Sequence, residues 1–192
     1  FQLENVYASV RRYTSPDEHP FSPHTLPEPI LQRLEYPPTI REPQKLNAND
    51  RVARMYREEV LPRVCQAGDD QNYGSSATCD VACLQALSKR IHYGKFIAEA
   101  KFLEDPALYT EMARNKDIKG IMRALTNAQV EELLLQRVEN KASAYGQEID
   151  YKGAKPNYKV QPATIAEIYR DFIIPLTKDV EVEYLLERPR LS

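Results

Sequence analysis

The chain has 192 residues, the span of one domain with a buried core, and its 42% hydrophobic and 28% charged composition argues against disorder. A net charge of −2 with pI near 6.0 gives bulk electrostatics no reason to attract nucleic acid or an anionic membrane, and no run of eighteen uncharged apolar residues is present to span a bilayer. Of the three cysteines, Cys79 and Cys83 stand four apart on a predicted helix, a poor geometry for a disulfide, and no metal-ligand spacing occurs, so a reducing compartment fits best.

The chain opens at Phe1, without Met or a signal or transit pattern. Leu3, Val6, Tyr7 and Val10 then fall at helical spacing, as the tail of a helix. Eight of the fourteen prolines lie between residues 16 and 43, removing amide donors and forbidding a continuous helix. This predicts an extended, surface-wrapping segment anchored by Phe21, Leu26, Ile30, Leu31, Leu34 and Tyr36. Asn49 or Asp50 is expected to cap a helix that kinks at Pro62. GDDQNYGSSAT reads as a loop ending in a hydroxyl-rich helix start. One long helix is expected over 76–102, marked by Val81, Leu84, Leu87, Ile91 and Phe102. Asp105 with Pro106 starts the next and Asn115 another. Thr126 and Gln129 form a capping box before a helix that Gly146 stops. After a polar loop containing Gly153 and Pro156, Pro162 starts a final helix reaching Leu186, bent at Pro175. The prediction is an all-α, single-domain helical bundle over 1–192.

Motifs for hydrolase or metal chemistry are missing: there is no Gly-rich phosphate loop, HExxH, CxxC pair or GxSxG. His19 and His24 read as turn residues and His92 as a hydrogen-bonded packing residue. The informative feature is cations inside an apolar helix. Arg90 and Lys101 are eleven residues apart, which returns to within roughly 20° on a helix, some 16 Å along its axis. Gly94, between them, costs about 1 kcal/mol relative to Ala in a helix, so a close backbone approach is expected there. Asn127 with Glu131, and Thr177 with Glu181, form i, i+4 polar pairs on later helices. Taken singly, each stripe also reads as a cap or solvated face. Turned inward together, the six groups suit a small polyanion that also carries hydroxyl or ether oxygens.

DVACLQALSKRIHYGKFIAEAKF, GDDQNYGSSAT, RRYTSPDEHPF and IIPLTKDVEVEYLLER closely resemble the all-helical chorismate mutases of fungi and plants, over essentially the whole chain. The resemblance implies conversion of chorismate to prephenate without cofactor or metal, and an allosteric homodimer regulated by tryptophan and tyrosine. It implies a catalytic set of Arg90, Lys101 and Glu181: the arginine grips a substrate carboxylate, the lysine bonds carboxylate and ether oxygen, and the glutamate faces the ether oxygen. Asn127, Glu131 and Thr177 correspond to substrate-binding residues. Arg11, Arg12, Gly74, Ser75 and Thr78 correspond to the effector site. The family has a further N-terminal helical region with another substrate-gripping arginine, which nothing here matches; the expectation is that it precedes Phe1. A cytoplasmic location is expected, or a plastid one if a transit peptide comes first. The rival expectation is an inactive helical module that retains the effector site.

Overall fold

The computed structural model describes residues 2–32, 34–41, 45–148 and 157–190. Pro43 and the loop with Gly153 and Pro156 lie outside the described residues. The architecture is all-α, as read from the pattern: α1 (Gln2–Ser9), α2 (Asn49–Met55), α3 (Leu61–Val64), α4 (Tyr73–His92), α5 (Gly94–Glu104), α6 (Pro106–Arg114), α7 (Ile118–Leu125), α8 (Ala128–Tyr145), α9 (Pro162–Ile168) and α10 (Ile174–Glu187). Two residues of β1 (Gln147–Glu148) pair antiparallel with β2 (Asn157–Tyr158), closing the loop between α8 and α9.

Helix α10 is the axis of the bundle, packing against α4, α5, α6 and α7, while α8 lies along α9. Its fully buried Val180 belongs to a core with Val52 of α2 and Ile91 of α4; its Leu185 belongs to a second core with Ala98, Phe102 and Ile121. Burial of each large aliphatic side chain stabilises by about 1.5–3 kcal/mol. Both prolines within helical rods follow a π-helical segment, Tyr56–Val60 before Pro62 and Tyr169–Ile173 before Pro175. The widened turn absorbs the missing N–H and the ring's clash with the preceding turn, so the rods continue.

Several local expectations are corrected. The helix expected over 76–102 starts earlier and is two helices, α4 and α5, separated by a turn at Tyr93. Asn115 ends α6 instead of starting α7, which is capped by Asp117 accepting from the Gly120 N–H at 2.9 Å. The cap of α8 is Asn127, accepting from Val130 N–H at 3.1 Å, while the Thr126 hydroxyl donates back to the Met122 carbonyl. At α2, Asn47 Oδ1 accepts from the Asn49 N–H, leaving the Asn49 side chain for other partners. Asp105 and Pro106 start α6 and Gly146 ends α8 as read.

The proline segment is held by polar groups more than by the apolar residues expected to anchor it. Ile30, Leu31, Leu34 and Tyr36 are exposed, whereas Phe21 packs against the core and Ile40 is buried. Buried Glu4 of α1 accepts from the Phe21 and Ser22 N–H groups, each at 2.9 Å. Asn49 Nδ2 donates to the His19 and Pro20 carbonyls. His19 is thus no turn residue: it is buried, its ring 4.0 Å from that of His92 and its Nε2 2.9 Å from the buried Lys95 ammonium. His92 Nε2 accepts from Ala48 N–H at 2.8 Å and its Nδ1–H donates to the Ser88 carbonyl. Burial, with His19 and Lys95 nearby, pushes the His92 pKa down to about 3, so the ring stays neutral. These bonds tie the segment to the junction of α4 and α5.

Candidate active site

A cleft of about 210 Å³ opens between α4, α5, α8 and α10, lined by Arg90, Ile97, Leu125, Asn127, Val130, Glu131, Leu134, Ile174, Thr177, Lys178 and Glu181. Each polar group is delivered by a helix feature. Arg90 comes from the last turn of α4, where a cation suits the helix dipole, and Glu131 from the first turn of α8, where a carboxylate does. Asn127 spends its side-chain oxygen capping α8, which leaves its amide N–H groups for a ligand. Thr177 and Glu181, one turn apart on α10, are both buried, and Thr177 Oγ1 donates to the Ile173 carbonyl at 2.6 Å.

Two features of the cleft bear on what it can hold. Arg90 forms no ion pair among the described residues. Glu181 is 6% exposed, and burial raises its pKa to about 7; Lys178 and Arg90 pull it back down and Glu131 pushes it further up. A carboxyl held protonated near neutrality can donate a hydrogen bond to a developing oxyanion. No group of three or more His, Cys, Asp or Glu among the described residues is arranged to hold a metal ion.

Five of the six sequence-predicted residues thus share one cleft. Lys101 does not line it: it is 40% exposed along its side chain, and its ammonium pairs with Glu104 at 2.8 Å. Between Arg90 and Lys101 the helical path is interrupted at the single turn residue Tyr93, whose dihedrals stay helical, and the Lys101 ammonium is held by Glu104 instead of entering the cleft. Lys178 was missed. It lines the cleft, pairs with Glu131 at 2.6 Å and donates to Thr126 Oγ1. Its position three residues before Glu181 was the available signal.

The two halves of the expected effector site do not meet through a hydrogen bond or ion pair among the described residues. Arg11 donates to the Gln32 carbonyl, while Arg12 pairs with Glu18 at 3.3 Å and lies over the Tyr7 and Tyr13 rings. Gly74, Ser75 and Thr78 sit in the first turns of α4, where the Thr78 hydroxyl donates to the Gly74 carbonyl. Arg11 closes α1 in the left-handed region (φ 60), with Arg11 N–H on Ala8 and Arg12 N–H on Tyr7. Glycine normally fills that position, so the arginine carries about 1 kcal/mol of strain. A larger apolar cavity of about 1010 Å³, between the π-helical segments Tyr56–Val60 and Tyr169–Ile173 and helices α3, α4 and α9, includes Ser75 in its lining but no lysine or arginine.

The fold is a helical bundle with a cleft that presents an arginine without an ion pair among the described residues and a carboxyl whose pKa is raised to about 7. The family model for chorismate mutase type II matches residues 72–182, and the chain belongs to that family. It is 49% identical to chorismate mutase 1, chloroplastic, of Petunia hybrida over 97% of its length, covering 59% of that relative. It is 43% identical to the chorismate mutase of Saccharomyces cerevisiae, covering 97% of this chain and 73% of the yeast protein. The chain spans about three-fifths of the length of the plant relatives it matches. The fold superposes on the chorismate mutase Aro7p of Candida albicans, solved with L-Trp, with a TM-score of 0.90 at 43% identity, covering 100% of this chain and 73% of that one. It superposes on AtCM1, solved with tyrosine bound in its allosteric site, with a TM-score of 0.87 at 46% identity, covering 98% and 75%.

Proposed function

We propose that this protein is a chorismate mutase that rearranges chorismate to prephenate in phenylalanine and tyrosine biosynthesis, and that aromatic amino acids regulate it. The observation that carries the reading is the convergence of Arg90, Asn127, Glu131, Thr177 and Glu181 on one cleft. The reaction is a unimolecular rearrangement, so no nucleophile is required. The site selects the compact conformer and stabilises negative charge growing on the breaking ether oxygen. Arg90 grips one carboxylate, and Asn127 and Glu131 orient the other polar groups. Protonated Glu181 donates to the ether oxygen, a contribution that reaches several kcal/mol, of order 3, in a dry site. Lys101 is assigned to the second carboxylate and the ether oxygen. Its flexible stem springs from α5 one turn beyond Ile97, which lines the cleft, so substrate would draw the ammonium away from Glu104.

Arg11, Arg12 and the start of α4 at Gly74, Ser75 and Thr78 are assigned to the effector. Helix-start amides and hydroxyls suit an amino-acid carboxylate. A homodimer is supported by the exposed apolar side chains of Val6 in α1 and Val10 just after it, beside which the Ile30 N–H on the Ser9 carbonyl brings exposed Ile30 and Leu31. The free thiols Cys65, Cys79 and Cys83 suit a reducing compartment, cytosol or plastid. The test is chorismate disappearance catalysed by the full-length protein, with and without tryptophan and tyrosine, beside its mass in solution. Turnover that responds to either amino acid is expected. A folded full-length dimer with no turnover would overturn the enzyme reading and leave the regulatory module.

A further inference from the structure

Gly94 opens α5 where a side chain would be crowded by α10. A Cβ at this position would lie 3.1 Å from each of three atoms: Glu181 Cγ, Thr177 Cγ2 and the Thr177 carbonyl oxygen. All three belong to Thr177 and Glu181, two of the four residues through which α10 lines the cleft. The carbonyl oxygen is fixed in the α10 backbone and cannot rotate aside, so a methyl group requires α10 and the Glu181 side chain to give by a few tenths of an ångström. The backbone conformation does not itself call for glycine, since Gly94 is not in the left-handed region. In a helix the glycine costs about 1 kcal/mol relative to Ala. At Gly120 and Gly146 a Cβ would meet the glycine's own capping or helix residues, Asp117 and Ala142, whereas at Gly94 it would meet a different helix; Gly74, at the start of α4, has nothing within 4 Å.

We propose that Gly94 is a positioning residue, whose missing side chain lets α10 approach α5 closely enough to aim Glu181 and Thr177 into the cleft. The inference rests on the catalytic reading of Glu181 and extends it to a residue that touches no substrate. The groups facing the Glu181 carboxyl are Arg90 from α4, Glu131 from α8, Lys178 from α10 and Tyr109 from α6. None of them changes when Gly94 does, so a displaced carboxyl is reported directly by its own titration.

The experiment is Gly94→Ala in the full-length protein, read by kcat and KM for chorismate, by melting, and by the carboxyl titration of Glu181 in ¹³C-glutamate-labelled protein, identified by its loss in Glu181→Gln. The expected result is a kcat lower by roughly three- to tenfold with KM little changed, as for a reacting geometry displaced by a fraction of an ångström. The Glu181 midpoint is expected to fall toward the ordinary carboxylate value as loosened packing admits water. Adding Thr177→Ser removes the Cγ2 contact, so Gly94→Ala should cost less in that background than in the native one. Unchanged kcat and midpoint, with or without a lower melting temperature, would reduce Gly94 to a packing residue and overturn the proposal. If Gly94→Ala does not fold, the double variant is compared with Thr177→Ser alone, and identical kcat and midpoint overturn it equally. A native protein without turnover would refute the catalytic reading instead, while the titration would still decide whether Gly94 sets the carboxyl.

Discussion

Ionisation of Glu181 should set both the activity and part of the stability of this protein. In the unfolded chain the carboxyl titrates at its ordinary 4.5, and burial in the cleft raises this to about 7. At about 1.4 kcal/mol per pH unit, ionising the buried carboxyl costs on the order of 3 kcal/mol. The sign follows from which state binds the proton. Between the two values the folded protein holds a proton that the unfolded chain has released, so stability falls as pH rises. The contribution is complete below the unfolded value, is lost progressively up to about pH 7, and stays lost above it. Glu181→Gln imitates the protonated form and cannot ionise. Urea unfolding from about pH 4.5 to about pH 8 should therefore show a decline in the native protein that is reduced in the variant by an amount of order 3 kcal/mol. The same comparison for kcat should show activity declining as Glu181 ionises, with the decline largely absent in Glu181→Gln. Parallel pH profiles in the two proteins, for stability and for rate, would refute the reasoning.

Lys178→Met removes a cation that holds the Glu181 pKa down and leaves Glu131 unpaired, so the alkaline limb of kcat should move to higher pH; an unmoved limb would show that Lys178 does not sense the site. Glu99 is buried on α5, accepting from Arg188 Nε at 2.5 Å and from the Tyr184 hydroxyl at 2.7 Å, so Glu99→Ala strands a guanidinium and should destabilise by about 3–5 kcal/mol in chemical unfolding. Arg11→Gly should relieve the left-handed strain at the end of α1 and raise stability by up to roughly 1 kcal/mol while abolishing the effector response; Arg11→Ala should abolish the response without the gain.

Much of the helical plan is local chemistry, and the sequence alone determined it. Prolines at 62, 106, 162 and 175, the Asp105 cap and the Gly146 stop act within one turn of themselves, so they are legible without a fold. The pairs Asn127 with Glu131 and Thr177 with Glu181 were legible for the same reason, since one helical turn places i and i+4 on one face. Tertiary structure decided what local spacing cannot carry. The approach of α10 to Gly94, through Thr177 and Glu181, is a contact between residues far apart in sequence. Lys101, on the stripe that local spacing predicted, is instead turned to Glu104 and does not line the cleft that Arg90 enters. Lys178 became a site residue only when α8 brought Glu131 against it. The proline segment carries the same lesson: Ile30, Leu31 and Leu34 look like anchors by hydropathy, yet the chain is held by Glu4, Asn49 and His19, whose partners lie on other elements. Burial makes such polar groups strong anchors, and burial is a property of the packed bundle, not of any one segment.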